Sequence, residues 1–250
     1  MKRIPKKSEG GVSTIDVMLV GGYQLFDMQL AIDNLPFVLE GLGLTLFISF
    51  ISFVMSVFGG TILALMRMSR HQVVGGIASL YISFFRGVPV LVTLFFLYFG
   101  LPFMGVTLDA LHVSLIGFSL TSCAYSSEII RASILGIHES QWEASYALGS
   151  SYWRTLQRII LPQAMIRSIP PLSNVLLDLV KSSSLTAMIT VPEIFQKAKI
   201  VGGAANDYMT MYFLVAIIYW VICTAYGYLQ KQLEKRLDGD QPDYQQNMSI

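Results

Sequence analysis

The chain of 250 residues is 54% hydrophobic and only 13% charged, and its mean hydropathy is +0.58. Soluble domains carry about 25% charged residues, so the composition excludes an ordinary soluble globule. A net charge of +1 without a concentrated basic face excludes nucleic acid as a partner. The two cysteines lie inside apolar stretches and indicate neither a disulfide framework nor a metal site.

The N-terminal segment begins like a secretory signal but lacks its apolar core. Four basic side chains come first: Lys2, Arg3, Lys6 and Lys7. Aspartates interrupt the stretch that follows, which is too polar for a signal core. We therefore interpret residues 1–34 as a pre-membrane segment.

Long uncharged stretches predict an all-α membrane protein with about five transmembrane helices. A helix crosses a bilayer with about 20 apolar residues, and no series of alternating segments indicates a barrel. The predicted spans cover residues 36–66, 88–104, 111–130, 168–192 and 208–229. The amphipathic stretch 73–85 is predicted to lie along the membrane surface. One membrane domain, residues 35–236, thus precedes a polar tail, residues 237–250.

The fourth span is interrupted by polar residues and prolines. It contains Pro170, Pro171, Asp178, Lys181 and the serines at 182–184. Such a segment is tolerated in a membrane only where protein or a water-filled cavity faces it. The interruption therefore predicts that this span faces either protein or a water-filled cavity.

Basic residues set the expected orientation. If the loop between spans three and four is cytoplasmic, ten basic residues share that side: Arg67, Arg70, Arg86, Arg131, Arg154, Arg158, Arg167, Lys231, Lys235 and Arg236. The positive-inside rule then predicts a cytoplasmic loop and C-terminus. With five spans the N-terminus lies outside, and its four basic residues conflict with this topology. A sixth membrane element within the first 35 residues would remove the conflict.

The loop between spans three and four, residues 138–162, has the pattern of two short helices. Helix formers run from Glu143 to Leu148, and Gly149 suits a left-handed helix end. Serines 150 and 151 are predicted to cap a second helix, residues 152–161, which ends at Pro162. We call residues 138–162 the elbow. It is either an ordinary loop or a handle through which a partner moves the bundle.

Several motifs resemble one family. Glu143, Ala144, Gly149, Ile159, Leu161 and Pro162 match the EAA loop of ATP-binding-cassette (ABC) importer permeases, with Ser145 replacing an alanine. The segments 85–89, 124–132, 161–164, 170–174 and 191–195 are similar to motifs of its polar amino-acid subfamily. The resemblance covers residues 41–229. It implies the type I importer (MetI-like) permease fold and a location in the bacterial plasma membrane.

The resemblance also implies partners. Such a permease pairs with an identical or paralogous permease, receives substrate from an extracytoplasmic binding protein, and couples to two ATPase subunits. The implied coupling residues are Glu143, Ala144, Gly149, Arg154 and Pro162. The phosphate-loop motif is absent and no Gly-Lys pair occurs. The chain is therefore expected to be no enzyme and to hold no cofactor, with ATP and magnesium bound by the partner ATPase.

The fourth span supplies candidate substrate contacts. Asp178 and Lys181 are three residues apart, hence on one helical face, and intramembrane charges usually face the bundle interior or a wet cavity. They are either a structural pair or ligands of a zwitterion, with its carboxylate on Lys181. Asn174, Ser182 and Ser184 complete the predicted set. Val175 stands where permeases for cationic amino acids often have an acidic residue, which favours glutamine or cystine.

Other charged residues have more local interpretations. Glu128 and Arg131 are predicted to form an ion pair at the end of span three, with a substrate role as the alternative. Arg86 is predicted to meet lipid headgroups or a helix end, with the ATPase side as the alternative. An ion-coupled secondary transporter is the alternative function. Such folds usually contain internal repeats, and none is visible. A membrane enzyme would need a nucleophile–base or metal constellation, which is also not visible.

Overall fold

The computed structural model describes residues 19–20, 23–24 and 26–238, and the all-α prediction is confirmed. A two-residue antiparallel pairing of β1 (Leu19–Val20) with β2 (Tyr23–Gln24) precedes the helices. The helices are α1 Met28–Leu39, α2 Leu42–Arg67, α3 Gln72–Gly87, α4 Val90–Phe95, α5 Ala110–Leu135, α6 Glu139–Ala147, α7 Tyr152–Thr155, α8 Leu161–Ser182, α9 Ile194–Ala205 and α10 Tyr208–Asp238. Residues 2–7 and 239–250, which carry the N-terminal charges and most of the tail, lie outside the described residues.

Five spans are reached only by counting two bent helix pairs. Helices α2, α5 and α10 are each long and apolar enough to cross a membrane. The run Val90–Met104 meets α3 at 101°, and α9 meets the run Tyr152–Ile189 at 48°. Helix α3 buries Ala78 and Ile82 and contacts α2 and α5. Helix α3 therefore packs against the bundle at a sharp angle to the run that follows it, and its location along the membrane surface stays a prediction.

Helix α8 continues through all three of its prolines, which corrects two expectations. A π-helical turn, Leu156–Ile160, joins α7 to α8, so Pro162 lies in the first turn of α8 and does not end the helix. Proline is tolerated there because the preceding π-helical turn already interrupts the regular i→i−4 hydrogen-bond pattern that the missing N–H would break. The helix that contains the predicted fourth span begins well before residue 168, and one helical run, counting the 3₁₀ segment Ser183–Ile189, extends from the elbow to Ile189.

Small residues let α2 and α5 approach closely. The buried face of α2 consists of Thr45, Ile48, Ser49, Ser52, Ser56, Gly60 and Ala64. A Cβ added to Gly60 would lie 2.7 Å from Ser126 Cβ and 3.0 Å from Ser127 N. The Ser56 and Ser126 hydroxyls lie 3.2 Å apart. This is the small-residue packing with interhelical hydrogen bonds that membrane helices favour.

Basic residues lie at both ends of the bundle. Three of them, Arg67, Arg131 and Arg167, share one end, as the sequence predicts. Glu128 forms ion pairs with Arg67, at the end of α2, and with Arg131 at 3.1 Å. Arg167 donates to the carbonyl of Gly136 at 2.6 Å, which brings the start of α8 to the same end. At the other end, Lys197 Nζ lies 2.6 Å from Glu40 Oε2. The predicted Glu128–Arg131 pair is confirmed, and Arg67 is an unpredicted third member.

The short helix α1 packs on α9 and α10. Its buried Ala31 and Val38 join a core with Ile194 and Met211. A Cβ on Gly41 would lie 2.4 Å from the Ile194 nitrogen, so the chain passes against the α9 start. Twelve residues span roughly 18 Å as a helix. Helix α1 alone is therefore too short to be the sixth span that would resolve the topology conflict.

Candidate functional site

The elbow turns at Gly149, as the sequence predicts. Helix α6 ends at Ala147, and Gly149 has φ +77° in the left-handed region. The Gly149 amide donates to the Tyr146 carbonyl at 2.9 Å and the Ser150 amide to the Ser145 carbonyl at 3.1 Å. These bonds close the helix end in the manner of a glycine cap. Nothing lies within 4 Å of a Cβ added to Gly149, so only backbone strain selects glycine here.

A buried pair of hydroxyls fastens the two elbow helices together. Ser145 Oγ lies 2.8 Å from Thr155 Oγ1, which also donates to the Ser151 carbonyl at 3.1 Å. Ser145 is the position where the EAA pattern has alanine, so this departure adds an interhelical hydrogen bond. Ser151 occupies the cap position of α7 with an extended backbone, but its side chain makes no capping bond. The predicted side-chain cap at 151 was therefore wrong.

The tip of the elbow exposes both the predicted coupling residues and large apolar side chains. The exposed predicted residues are Glu143, Ala144, Gly149, Arg154 and Pro162. Leu148 is 87% exposed and Trp153 60% exposed. Trp142 stacks on Tyr152 with ring centroids 5.6 Å apart, which stiffens the turn. Contiguous exposed apolar side chains are typical of surfaces that contact another protein or a membrane.

A pocket of about 800 Å³ lies between the α3–α4 bend, α5 and α8. Residues 86–90 form one wall. Helix α5 contributes Phe118, Thr121, Ser122, Tyr125, Glu128 and Ile129. Helix α8 contributes Pro171, Asn174, Val175, Asp178, Leu179, Lys181 and Ser182. The interrupted fourth span thus faces a cavity, one of the two surroundings that the sequence predicts.

Four of the five predicted substrate residues line this pocket: Asn174, Asp178, Lys181 and Ser182. Ser184 does not, because it lies in the following 3₁₀ segment and donates to the Lys181 carbonyl at 2.8 Å. Lys181 Nζ lies 3.0 Å from Asp178 Oδ1, so the two share one helical face. Their side chains are 53% and 71% exposed. A pair open to the cavity gains little from its mutual attraction and leaves both groups accessible.

Sequence reasoning missed Arg86 and Tyr125 as pocket residues. Arg86 ends α3, and its Cζ lies 5.7 Å from the centre of the Tyr125 ring. The break between α3 and α4, at residues 88–89, holds the end of α3 beside the middle of α5. The Phe-Arg-Gly-Val-Pro segment was a visible signal, since Gly and Pro after an arginine mark a helix end. It gave no indication of which cavity the arginine would meet.

Comparison with known proteins identifies the family to which this architecture belongs. Residues 56–239 match the family described as "Binding-protein-dependent transport system inner membrane component". The chain belongs to this family. It is 52% identical to the probable amino-acid ABC transporter permease protein YckA of Bacillus subtilis (strain 168), over 85% of this chain and 94% of that protein.

Two further relatives agree with the ABC permease assignment. The L-cystine transport system permease protein TcyB of Bacillus subtilis (strain 168) is 42% identical over 81% of this chain and 87% of that protein. A chain from the crystal structure of an amino acid ABC transporter with histidines has a TM-score of 0.79 at 30% identity, covering 84% and 98% of the two chains. The family and type I fold implied by the sequence motifs are confirmed, and the ion-coupled alternative finds no support.

Proposed function

We propose that this chain carries a polar amino acid through the pocket by alternating access, driven by separate ATPase subunits that grip the elbow. The observation that carries the proposal is the continuous helical run Tyr152–Ile189. One end of the run is the second elbow helix, and further along it Asn174, Asp178 and Lys181 line the pocket. A displacement of the elbow therefore moves the pocket wall directly, without an intervening flexible loop.

The exposed tip of the elbow supports an ATPase as the partner. Leu148 and Trp153 supply apolar anchors, while Glu143 and Arg154 supply charges at the rim. Two ATPase subunits, which bind ATP and magnesium, would act on this permease and on an identical or paralogous second permease. An extracytoplasmic binding protein would deliver the substrate at the opposite end of the bundle.

The orientation belongs to the same proposal. The elbow and the C-terminus face the cytoplasm of a bacterial cell, and the chain is held in the plasma membrane by contact with lipid. Arg67, Arg131 and Arg167 lie together at the elbow end of the bundle, which supports this orientation through the positive-inside rule.

Glutamine and cystine are the proposed substrates. The pocket wall offers the Asn174 amide and the Ser182 hydroxyl beside the mutually neutralised pair Asp178 and Lys181. Val175 also lines the wall, so no extra acidic group at that position selects a cationic side chain. Ser184 acts behind the wall, where it holds the Lys181 backbone. The relationship to an L-cystine permease supports the choice of cystine.

Reconstitution tests the proposal. The permease, its ATPase and its binding protein are placed in liposomes, and uptake of radiolabelled L-cystine and L-glutamine is measured with and without ATP. We expect accumulation of one of them only with ATP and the ATPase. Uptake that persists without ATP and follows an ion gradient would establish the secondary-transporter alternative instead.

A further inference from the structure

The charges on the pocket wall are unevenly compensated. The wall carries Arg86, Glu128, Asp178 and Lys181. Asp178 and Lys181 neutralise each other, and Glu128 is already engaged by Arg67 and Arg131 from outside the wall. Within the part of the chain that the structure describes, Arg86 is the wall charge that has no acidic side chain within ion-pair distance. Arg86 is therefore the described wall cation that lacks a direct ion pair, although its charge still acts on Glu128 at longer range.

The position of Arg86 explains how this charge is tolerated. It lies in the last turn of α3, where the negative end of the helix dipole favours a cation. Its guanidinium is also held over the face of Tyr125, at 5.7 Å from the ring centre. Neither interaction is a hydrogen bond, and an arginine has five N–H donors. The side chain is exposed to the cavity, so its donors can reach a ligand there.

We propose that Arg86, held over the Tyr125 ring, binds the carboxylate of the amino-acid substrate. This inference rests on the proposed function and deepens it. A carboxylate accepts two parallel N–H···O bonds from one guanidinium, which is the geometry that arginine offers and lysine does not. The pairing also gives the Arg86 guanidinium a direct counter-charge. Lys181, which already has Asp178 at 3.0 Å, is then a neighbour of the substrate and not its carboxylate ligand.

Direct binding to the purified permease–ATPase complex tests this assignment without the selectivity of the binding protein. The probes are radiolabelled L-glutamine and L-cystine, in competition with their methyl esters, which keep the ammonium group but lack the carboxylate charge. Hydrogen bonds to charged groups contribute about 1.5–3 kcal/mol, which corresponds to roughly tenfold to a hundredfold in affinity. We expect Arg86→Gln to lose at least about tenfold and to lose the preference for acid over ester.

Two further variants complete the experiment. Arg86→Lys keeps the positive charge but lacks the two parallel N–H donors of a guanidinium. It should therefore recover part of the affinity and part of the preference for acid over ester. Arg70→Gln makes the same change on an exposed arginine that does not line the pocket, and it should bind like the unaltered complex.

The outcomes separate the inference from the function it rests on. Unchanged binding by Arg86→Gln, or an equal loss for acid and ester, would overturn the role of Arg86 as carboxylate ligand while leaving the transport function standing. If Arg86→Gln does not assemble, an unaltered complex that binds ester as tightly as acid overturns the role equally. An unaltered complex that binds neither amino acid would refute the proposed substrate, and the inference with it.

Discussion

The elbow comes from one stretch of sequence, residues 138–162, whereas the pocket wall combines three segments that are far apart in the chain. Every feature of the elbow turn is local: Gly149 is left-handed on its own account, and the helix-closing bonds and the hydroxyl pair join residues at most 10 positions apart. The pocket depends on how α3, α5 and α8 pack. The elbow is thus an exposed structure whose shape is set locally, whereas the shape of the pocket follows the packing of the helix bundle.

This difference suggests a division of labour. Because the elbow is shaped by local contacts, it can keep its structure while the rest of the bundle moves, which is needed if it transmits motion to the bundle. A cavity assembled from separate helices changes when those helices shift, as alternating access requires. Helix α8 belongs to both regions, because its N-terminal extension forms half of the elbow and its middle forms part of the pocket wall.

The largest expected effect comes from disrupting the elbow. We expect Glu143→Ala together with Gly149→Val to abolish both co-purification with the ATPase and ATP-driven uptake. The valine must adopt φ +77°, which costs about 1–2 kcal/mol in backbone strain, and the glutamate change removes a rim charge. Pull-down of the ATPase and uptake in liposomes measure the two results.

The matched control for that variant is Glu139→Ala with Gly76→Val. Glu139 is an exposed acidic residue one turn earlier in α6. A Cβ on Gly76 meets nothing within 4 Å, and its φ is not positive. Normal assembly of the control with loss in the test variant would confirm Glu143 and Gly149 as coupling residues within the elbow. Retained co-purification by the test variant would refute this role.

Local and non-local features also differ in how far the sequence predicts them. Gly149 could be assigned to a left-handed turn from its neighbours alone. The Asp178–Lys181 and Glu128–Arg131 pairs followed from helical spacing. Arg67 and Arg86 could not be placed, because their partners lie 61 and 39 positions away in the chain. The continuity of α8 through Pro162 was missed because a π-helical turn absorbs the register change before the proline.

A change at the pocket pair should affect transport and leave assembly intact. In Lys181→Ala the carboxylate of Asp178 remains, and because it is 71% exposed it stays hydrated and the fold tolerates it. Its unpaired negative charge then repels the substrate carboxylate. We expect the KM of uptake to rise about tenfold, equivalent to about 1.4 kcal/mol, with the amount of assembled complex unchanged.

Removing Asp178 as well tests whether its unpaired negative charge causes the rise in KM. The double variant Asp178→Ala with Lys181→Ala restores neutrality, so its KM should return most of the way toward the unaltered value. Failure of the single variant to assemble, with rescue by the double variant, would instead identify the pair as a structural counter-charge. The result would then make the pocket wall dependent on charge balance for folding, unlike the elbow.

The hydroxyl pair inside the elbow should produce a smaller effect on stability. Ser145→Ala removes one hydrogen bond and restores the alanine of the EAA pattern, so we expect a loss of about 1 kcal/mol. Thr155→Val removes two bonds and should cost more. Thermal unfolding of the complex in detergent measures both. Equal effects of the two substitutions would show that the Thr155–Ser151 bond adds nothing to the stability of the elbow.

Asp109 offers a local feature remote from both regions, with the smallest expected effect. It caps α5 by accepting from the His112 amide at 2.8 Å, and this bond lowers the pKa of the Asp109 carboxyl below its ordinary value, with a further contribution from the His112 ring. Because the folded pKa is the lower one, the stabilisation is present above the unfolded pKa and disappears as pH falls below roughly 4.

Asp109→Asn keeps a capping oxygen but cannot ionise. The melting temperature of the unaltered complex should therefore fall slightly more than that of the variant between pH 6 and pH 3. Identical pH profiles would show that the charge of this cap contributes nothing, and that local signals act here through geometry alone, as at Gly149.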